Sequence, residues 1–204
     1  MNLHKLSLAP VAVIVLIWLG LAPVYASPVT VQEAMSERVL GKADAPVTVI
    51  EFASLTCPHC KDFEINTLPK LKTAYIDTGK VKLIYRDFPL DGRALLAAMV
   101  ARCAPKDRYF AFLDALFRSQ DVWARAQDPL QALSQVARLG GMSQTEFDAC
   151  IKNKDLFEAI KKDATDAQQQ YKVESTPTFV INGKKMEGGH SFESFEAALK
   201  PLLK

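Results

Sequence analysis

The tetrad Cys57-Pro58-His59-Cys60 stands where an apolar run, Val47-Thr48-Val49-Ile50-Glu51-Phe52, gives way to a helix-like segment. That junction constrains the fold more than any other part of the chain. Two thiols at this spacing can form and break a disulfide within one helical turn. The run 47–52 has the make-up of a buried strand, apolar except for Thr48 and Glu51. Residues 57–66 are helix-like, but Pro69 sits badly inside a helix, so a break is expected near Thr67. Thr67 then caps a second piece reaching about residue 77. Gly79 closes it, and 81–86 is the next strand, ended by Pro89. The result is a βαβ unit with the cysteines at the handover from strand to helix.

From 92 to about 172 nothing resembles a strand. Residues 94–104 form an alanine-rich helix. Tyr109, Leu113, Leu116 and Phe117 recur at helical spacing and read as core, and 130–139 is a helix stopped by Gly140-Gly141. Ser143-Gln144-Thr145-Glu146 has capping-box spacing, so a helix carrying Cys150 starts there. A longer helix covers 155–171. Thr178-Phe179-Val180-Ile181 then restores a strand, Asn182-Gly183 signals a hairpin into 184–187, and Ser191 caps a last helix ending near 203. An all-helical block between a βαβ unit and a ββα unit makes one α/β domain with an insertion at about 92–172. The domain runs from 46 to 204.

The first 26 residues read as a cleaved signal peptide. They hold Lys5, an apolar stretch over 8–21, and Val24-Tyr25-Ala26 in the small-x-small pattern for cleavage before Ser27. The apolar stretch is short for a bilayer span of about 20 residues. Residues 27–45 read as a tether. The mature 178 residues carry 24 basic and 23 acidic side chains, a balance that gives no support to nucleic-acid binding or to anionic membranes as partners. Export places the chain outside the cytoplasm, where disulfides persist, so all four cysteines are candidates for bridges.

Only a thiolate attacks a disulfide, and an ordinary cysteine with pKa about 8.5 is mostly protonated at neutral pH. Cys57 at a helix N-terminus faces unpaired N–H groups and the positive end of the helix dipole. Pro58 suits the first turn, and His59, when protonated, adds a positive charge nearby. Cys57 is therefore expected to be the exposed nucleophile and Cys60 the buried resolving thiol. A Cys57 pKa of about 4 would stabilise the reduced form at pH 7 by roughly 4 kcal/mol, or about 85–90 mV for a two-electron couple. Zinc is disfavoured because it takes four ligands, there is no second Cys-x-x-Cys, and His190 is the only other downstream histidine. Glu51 is an acid in a strand expected to be central, where a charge belongs only if paired or functional.

These residues resemble the thioredoxin superfamily and, within it, the DsbA-like periplasmic oxidoreductases. Glu51-Phe52 six and five residues ahead of Cys57, the tetrad, Phe63, the helical insertion and Thr176-Pro177 before a strand carry the resemblance. The stretch 67–89 is similar to the branch with a compact insertion. The resemblance implies a thioredoxin fold, a redox-active Cys57–Cys60 disulfide and no cofactor. It places Glu51 beneath Cys60 as a proton-moving acid, and makes Pro177 cis with the Thr176 backbone alongside Cys57 to pair with substrate. With the active-site pair joined, Cys103 and Cys150 remain to form a structural disulfide. The implied activity is a monomeric dithiol oxidase acting on exported polypeptides with free cysteines, reoxidised by a quinone-linked membrane partner of the DsbB type. Thr176 departs from the valine of the best-known oxidases. It keeps a disulfide isomerase or reductase open. A thiol-independent chaperone or binding module is a further alternative, and it would retain function in a Cys57→Ala/Cys60→Ala protein.

Overall fold

The computed structural model describes residues 29–203, so the signal-peptide expectation lies outside the described residues. A short helix α1 (Val31–Ala34), capped by Thr30, leads into strand β1 (Arg38–Leu40). β1 pairs antiparallel with β3 (Val81–Asp87), Arg38 opposite Tyr85. The 27–45 segment thus carries more structure than a tether: it supplies the edge of the sheet. Three residues are too few to show an alternating pattern, and it is the pairing with β3 that makes them a strand.

β2 (Val47–Ala53) runs parallel to β3 and antiparallel to β4 (Thr178–Ile181). The sheet order is β1-β3-β2-β4-β5, which puts β2 in the middle. β5 is only Lys184–Lys185, shorter than 184–187. The connecting Asn182 and Gly183 both have positive φ, the geometry that lets a two-residue turn follow the strand twist.

The segment after β2 corrects the expected break at Thr67. Helix α2 (Pro58–Asp62) passes into a π-helical turn (Phe63–Thr67), then α3 (Leu68–Leu71), then a second π turn (Lys72–Ile76). Thr67 is helical, with φ −103° and ψ −49°, and its side chain caps nothing. A proline at 69 would press on the carbonyl four residues back in a regular α-helix. The preceding turn is widened, with the Leu68 N–H donating to the Phe63 carbonyl, and the chain stays helical through the proline.

The insertion is helical throughout, as expected. It comprises α4 (Gly92–Cys103), α5 (Tyr109–Arg118), α6 (Gln120–Trp123), α7 (Pro129–Leu139), α8 (Gln144–Ile151) and α9 (Lys154–Tyr171). α4 is buried on nearly every side. Asp91, Asp128, Ser143 and Asn153 cap α4, α7, α8 and α9, and Ser143 with Glu146 forms the capping box. Gly141 takes the left-handed conformation after α7, at φ +88°. Tyr109, Leu113, Leu116 and Phe117 are all buried core. Cys103 and Cys150 are joined, tying α4 to α8 with their Cα atoms 6.1 Å apart. α10 (Phe192–Leu199), capped by Ser191, gives way to a 3-10 turn over Lys200–Leu202.

The β2–β3 register puts Val49, Glu51 and Ala53 opposite Leu83, Tyr85 and Asp87. Phe63, Leu71 and Phe195 from the active-site helix and α10 pack with Val49 and Leu83, while Ala53 and Tyr85 join the core of the insertion. On the opposite face Phe52 and Val180 pack with Ala167 of α9. Alternation along β2 therefore aims Glu51 at the layer holding the active-site helix.

Candidate active site

β2 ends at Ala53, and the Cys57 N–H donates to the Ser54 carbonyl to turn the chain toward α2. Two residues of the insertion side fix that turn. The Gln120 amide donates to the carbonyls of Leu55 (2.8 Å) and Cys57 (3.0 Å), and the Thr56 hydroxyl donates to Asp91 (2.7 Å). Cys57 is the N-cap of α2 with Pro58 in its first turn. The backbone thus presents the Cys57 sulfur to the helix N-terminus, where the N–H groups of Cys60 and His59 reach it.

Cys57 is not freely exposed. Only 6% of the residue is open to solvent, so its sulfur sits in a slot. The thiol donates to the Thr176 carbonyl at 3.2 Å. A hydrogen bond from the Cys60 thiol pulls the Cys57 pKa down most strongly. The Thr176 hydroxyl and the two backbone N–H groups add to it against the opposing effect of burial, and the result is about 5. Cys60 is fully buried, and burial first, then its bond to Cys57 and the charge of Glu51, push it far above an ordinary thiol. Both cysteines are free thiols in this structure.

The Thr176-Pro177 peptide bond is cis. The Thr176 hydroxyl is buried and has no hydrogen-bond partner. Its carbonyl serves Cys57 while the sulfur is a thiol, and its hydroxyl is the donor at hand once the sulfur ionises. Glu51 lies fully buried in central β2, with neither carboxyl oxygen partnered. Burial, and then the nearby Glu64, raise it well above the carboxylate range. His59 is exposed, and its ring meets His190 edge-on at 5.9 Å. His190 Nε2 lies 3.5 Å from Asp62. What His59 brings to Cys57 is its backbone N–H, while its ring is turned to His190 and gives the sulfur no contact, unlike the positive charge expected of it.

The structure therefore gathers Cys57, Pro58, Cys60, Glu51, Thr176 and Pro177 at one place, with the His59 ring at its rim. Cys103 and Cys150 stand apart, within the insertion. Clefts flank the sulfur slot. One, of about 370 Å³, includes Thr56, Pro58, Lys61, Arg93 and Gln120. The other, about 180 Å³, runs along Pro177, Thr178, Met186 and His190. Sequence reasoning missed Glu64, Gln120 and His190. Glu64 had a readable signal, since it follows Cys60 by four residues and so shares its face. Gln120 lies too far along the chain to announce its partners.

The sequence model described as thioredoxin matches residues 33–201, and the chain belongs to the thioredoxin family. Within that family it is a DsbA-like member. The crystal structure of Wolbachia pipientis alpha-DsbA1 superposes with a TM-score of 0.76 at 36% identity, over 83% of this chain and 92% of that one. BdbD from Bacillus subtilis, in its oxidised form, gives a TM-score of 0.71 at 26% identity, over 86% of this chain and 95% of that one. A Rickettsia bellii protein named for protein-disulfide oxidoreductase activity is 30% identical over 169 residues, 82% of this chain. The chain spans 65% of that relative's length.

Proposed function

We propose that the protein is a thiol-disulfide oxidoreductase working as a dithiol oxidase on exported polypeptides with free cysteines. The observation that carries this is the inequality of two adjacent thiols, Cys57 lowered to about 5 and Cys60 raised by burial. A stabilised Cys57 thiolate favours the reduced form, and so makes the Cys57–Cys60 disulfide a ready electron acceptor.

A substrate thiolate attacks Cys57 Sγ, the Cys57–Cys60 bond breaks, and Cys60 leaves as a thiolate that takes a proton from Glu51. A second substrate thiolate attacks the sulfur bonded to Cys57. The substrate disulfide forms, Cys57 departs as a thiolate, and the enzyme has gained two electrons. Thr176 and Pro177 line the slot where an extended substrate segment pairs with the backbone. The same reading places the mature protein in the periplasm as a monomer, after cleavage of residues 1–26. A quinone-linked membrane partner of the DsbB type reoxidises it, no cofactor is required, and Cys103–Cys150 is structural.

Thr176 favours a second reading, an isomerase or reductase. Incubation with a reduced unfolded polypeptide and with a scrambled one, together with a sizing measurement, separates the two. The oxidase reading expects rapid disulfide formation, little reshuffling and a monomer. Dominant reshuffling by a dimer would contradict it. Retained function in Cys57→Ala/Cys60→Ala would contradict both.

A further inference from the structure

Disulfide exchange fixes where a substrate sulfur must sit, but the chain attached to that sulfur extends to both sides of it. On one side lies the cleft along Pro177. On the other, two clefts that share Asp91, Arg93 and Ala124 form one continuous groove from Pro58 to Phe157. It has no lining residue in common with the cleft along Pro177. We propose that this groove takes the arm of the substrate chain leading away from its reacting cysteine, and that it selects arms carrying an acidic residue with an apolar one beyond it. The inference rests on the dithiol reading above and names a substrate class for it.

The insertion builds the groove. α4 contributes Arg93 and Leu96, α6 and the residues after it contribute Gln120 to Arg125, and Phe157 of α9 closes the far end. The part beside Pro58, about 370 Å³, is charged. The far part, about 630 Å³, has Leu96, Ala124 and Phe157 in its walls. Leu90 and Val122, each next in sequence to a lining aspartate, are 54% and 72% open to solvent. Exposed apolar side chains gathered along a groove mark a contact surface.

The charges in the groove differ in what they leave free. Asp91 accepts from the Thr56 hydroxyl and, at 2.8 Å, from the Ala94 N–H. Asp121 pairs with Lys61 and, at 3.6 Å, with Arg125. Both acids are thus answered from within the protein. Half-buried Arg93 donates one N–H to the Ala124 carbonyl and forms no ion pair among the described residues. A guanidinium carries five N–H donors, so Arg93 has donors to spare where the charged and apolar parts of the groove join. A carboxylate is their complement, and a lysine placed there would be repelled.

The test is a competition. The oxidised protein is offered an excess of two reduced dithiol peptides that differ only in a glutamate or a lysine a few residues from the reacting cysteine, with a leucine beyond it. The arm precedes the cysteine in one pair of peptides and follows it in another. The ratio of oxidised products is divided by the ratio that a small neutral disulfide gives, which removes differences in thiol reactivity. It should favour glutamate by roughly tenfold in at least one pair, equivalent to about 1.4 kcal/mol. In that pair, serine in place of the leucine should cost roughly threefold or more. Arg93→Gln retains a donor for the Ala124 carbonyl and should bring the glutamate preference close to one, while Arg93→Glu should reverse it. A ratio of products does not depend on how much of a variant is folded. Wild-type ratios near one would overturn the proposal, as would a glutamate preference that survives Arg93→Glu, or serine competing as well as leucine. A second copy of this chain in the groove would also overturn it, giving flat ratios and a dimer on sizing. Failure of the wild type to oxidise any of the peptides would instead overturn the dithiol reading itself.

Discussion

Cys57 owes its low pKa to the Cys60 thiol first, with Thr176 and the backbone N–H groups of residues 59 and 60 in support. The Thr176 hydroxyl is the contribution a single substitution removes cleanly. Thr176→Val keeps the shape and deletes the donor, so the Cys57 pKa should rise, which a thiolate absorbance titration measures. An unchanged titration would place Thr176 outside the redox tuning. A second prediction concerns pH. Cys57 has a folded pKa of about 5 against 9.0 for an unperturbed thiol. Between those values the reduced native state binds fewer protons than the unfolded chain, so its stability rises with pH. This contribution is full above about 9 and is lost as pH falls through about 5. The oxidised protein lacks it, so the reduced-minus-oxidised difference in melting temperature should grow from pH 5 to 9. A constant difference would contradict the low Cys57 pKa.

At this scale the place of Thr176-Pro177 came only from the resemblance, whereas Glu51 stood out as an acid in a central strand and the tetrad was legible because its chemistry is bound to short spacing. The exposed Cys57 was not, since the slot is built by Thr176, more than a hundred residues away. Glu64 follows Cys60 by four residues on the same face, but that signal is outweighed by its type, since an acid on a helix ordinarily faces water.

The elements around the site act as a frame held from both sides. Gln120, on the four-residue helix α6, donates to both the Leu55 and Cys57 carbonyls, the second of which also accepts from the Lys61 N–H. Gln120→Ala takes the side-chain donor from the buried Leu55 carbonyl and should destabilise by about 1–3 kcal/mol, read as a lower denaturation midpoint. A midpoint unchanged within error would show that the turn holds its shape unaided. Helices announced by a cap, such as α8 at Ser143 and α10 at Ser191, were readable in the sequence, as was α7 from its terminal glycines. The π turns flanking α3 were not. The proline rule correctly marks Pro69 as incompatible with a regular helix, and the chain answers by widening the turn rather than breaking it. β1 escaped because an edge strand of three residues exists only through its partner.

For the whole molecule, the insertion and the sheet are stitched by buried charge. Arg102 of α4 donates to Asp87 of β3 at 2.6 Å and to the Ala34 and Ser36 carbonyls, while Arg38 of β1 donates to the Ala34 and Arg102 carbonyls. Both guanidinium groups also lie over the Tyr109 ring, at 4.8 and 5.4 Å. Burial raises Asp87 and its arginine partner opposes that rise; the short hydrogen bond favours the ionised pair. Asp87→Asn would strand two buried arginines and should destabilise by about 3–5 kcal/mol. A loss under about 1 kcal/mol, the worth of a surface pair, would mean that the pair is not buried in solution. The alternation of sheet and helical block was clear from the sequence, yet the contacts joining the two were not. Arg38, Asp87 and Arg102 lie far apart in the chain, and nothing in their local sequence ties them together.

The central claim is that a stabilised Cys57 thiolate makes the Cys57–Cys60 disulfide oxidising. Equilibrating the mature protein in glutathione buffers at pH 7, with the two thiol states counted after alkylation, measures this directly. The account predicts a potential well above the roughly −270 mV of thioredoxin, toward the strongly oxidising end of the family range. A value near −270 mV would contradict it.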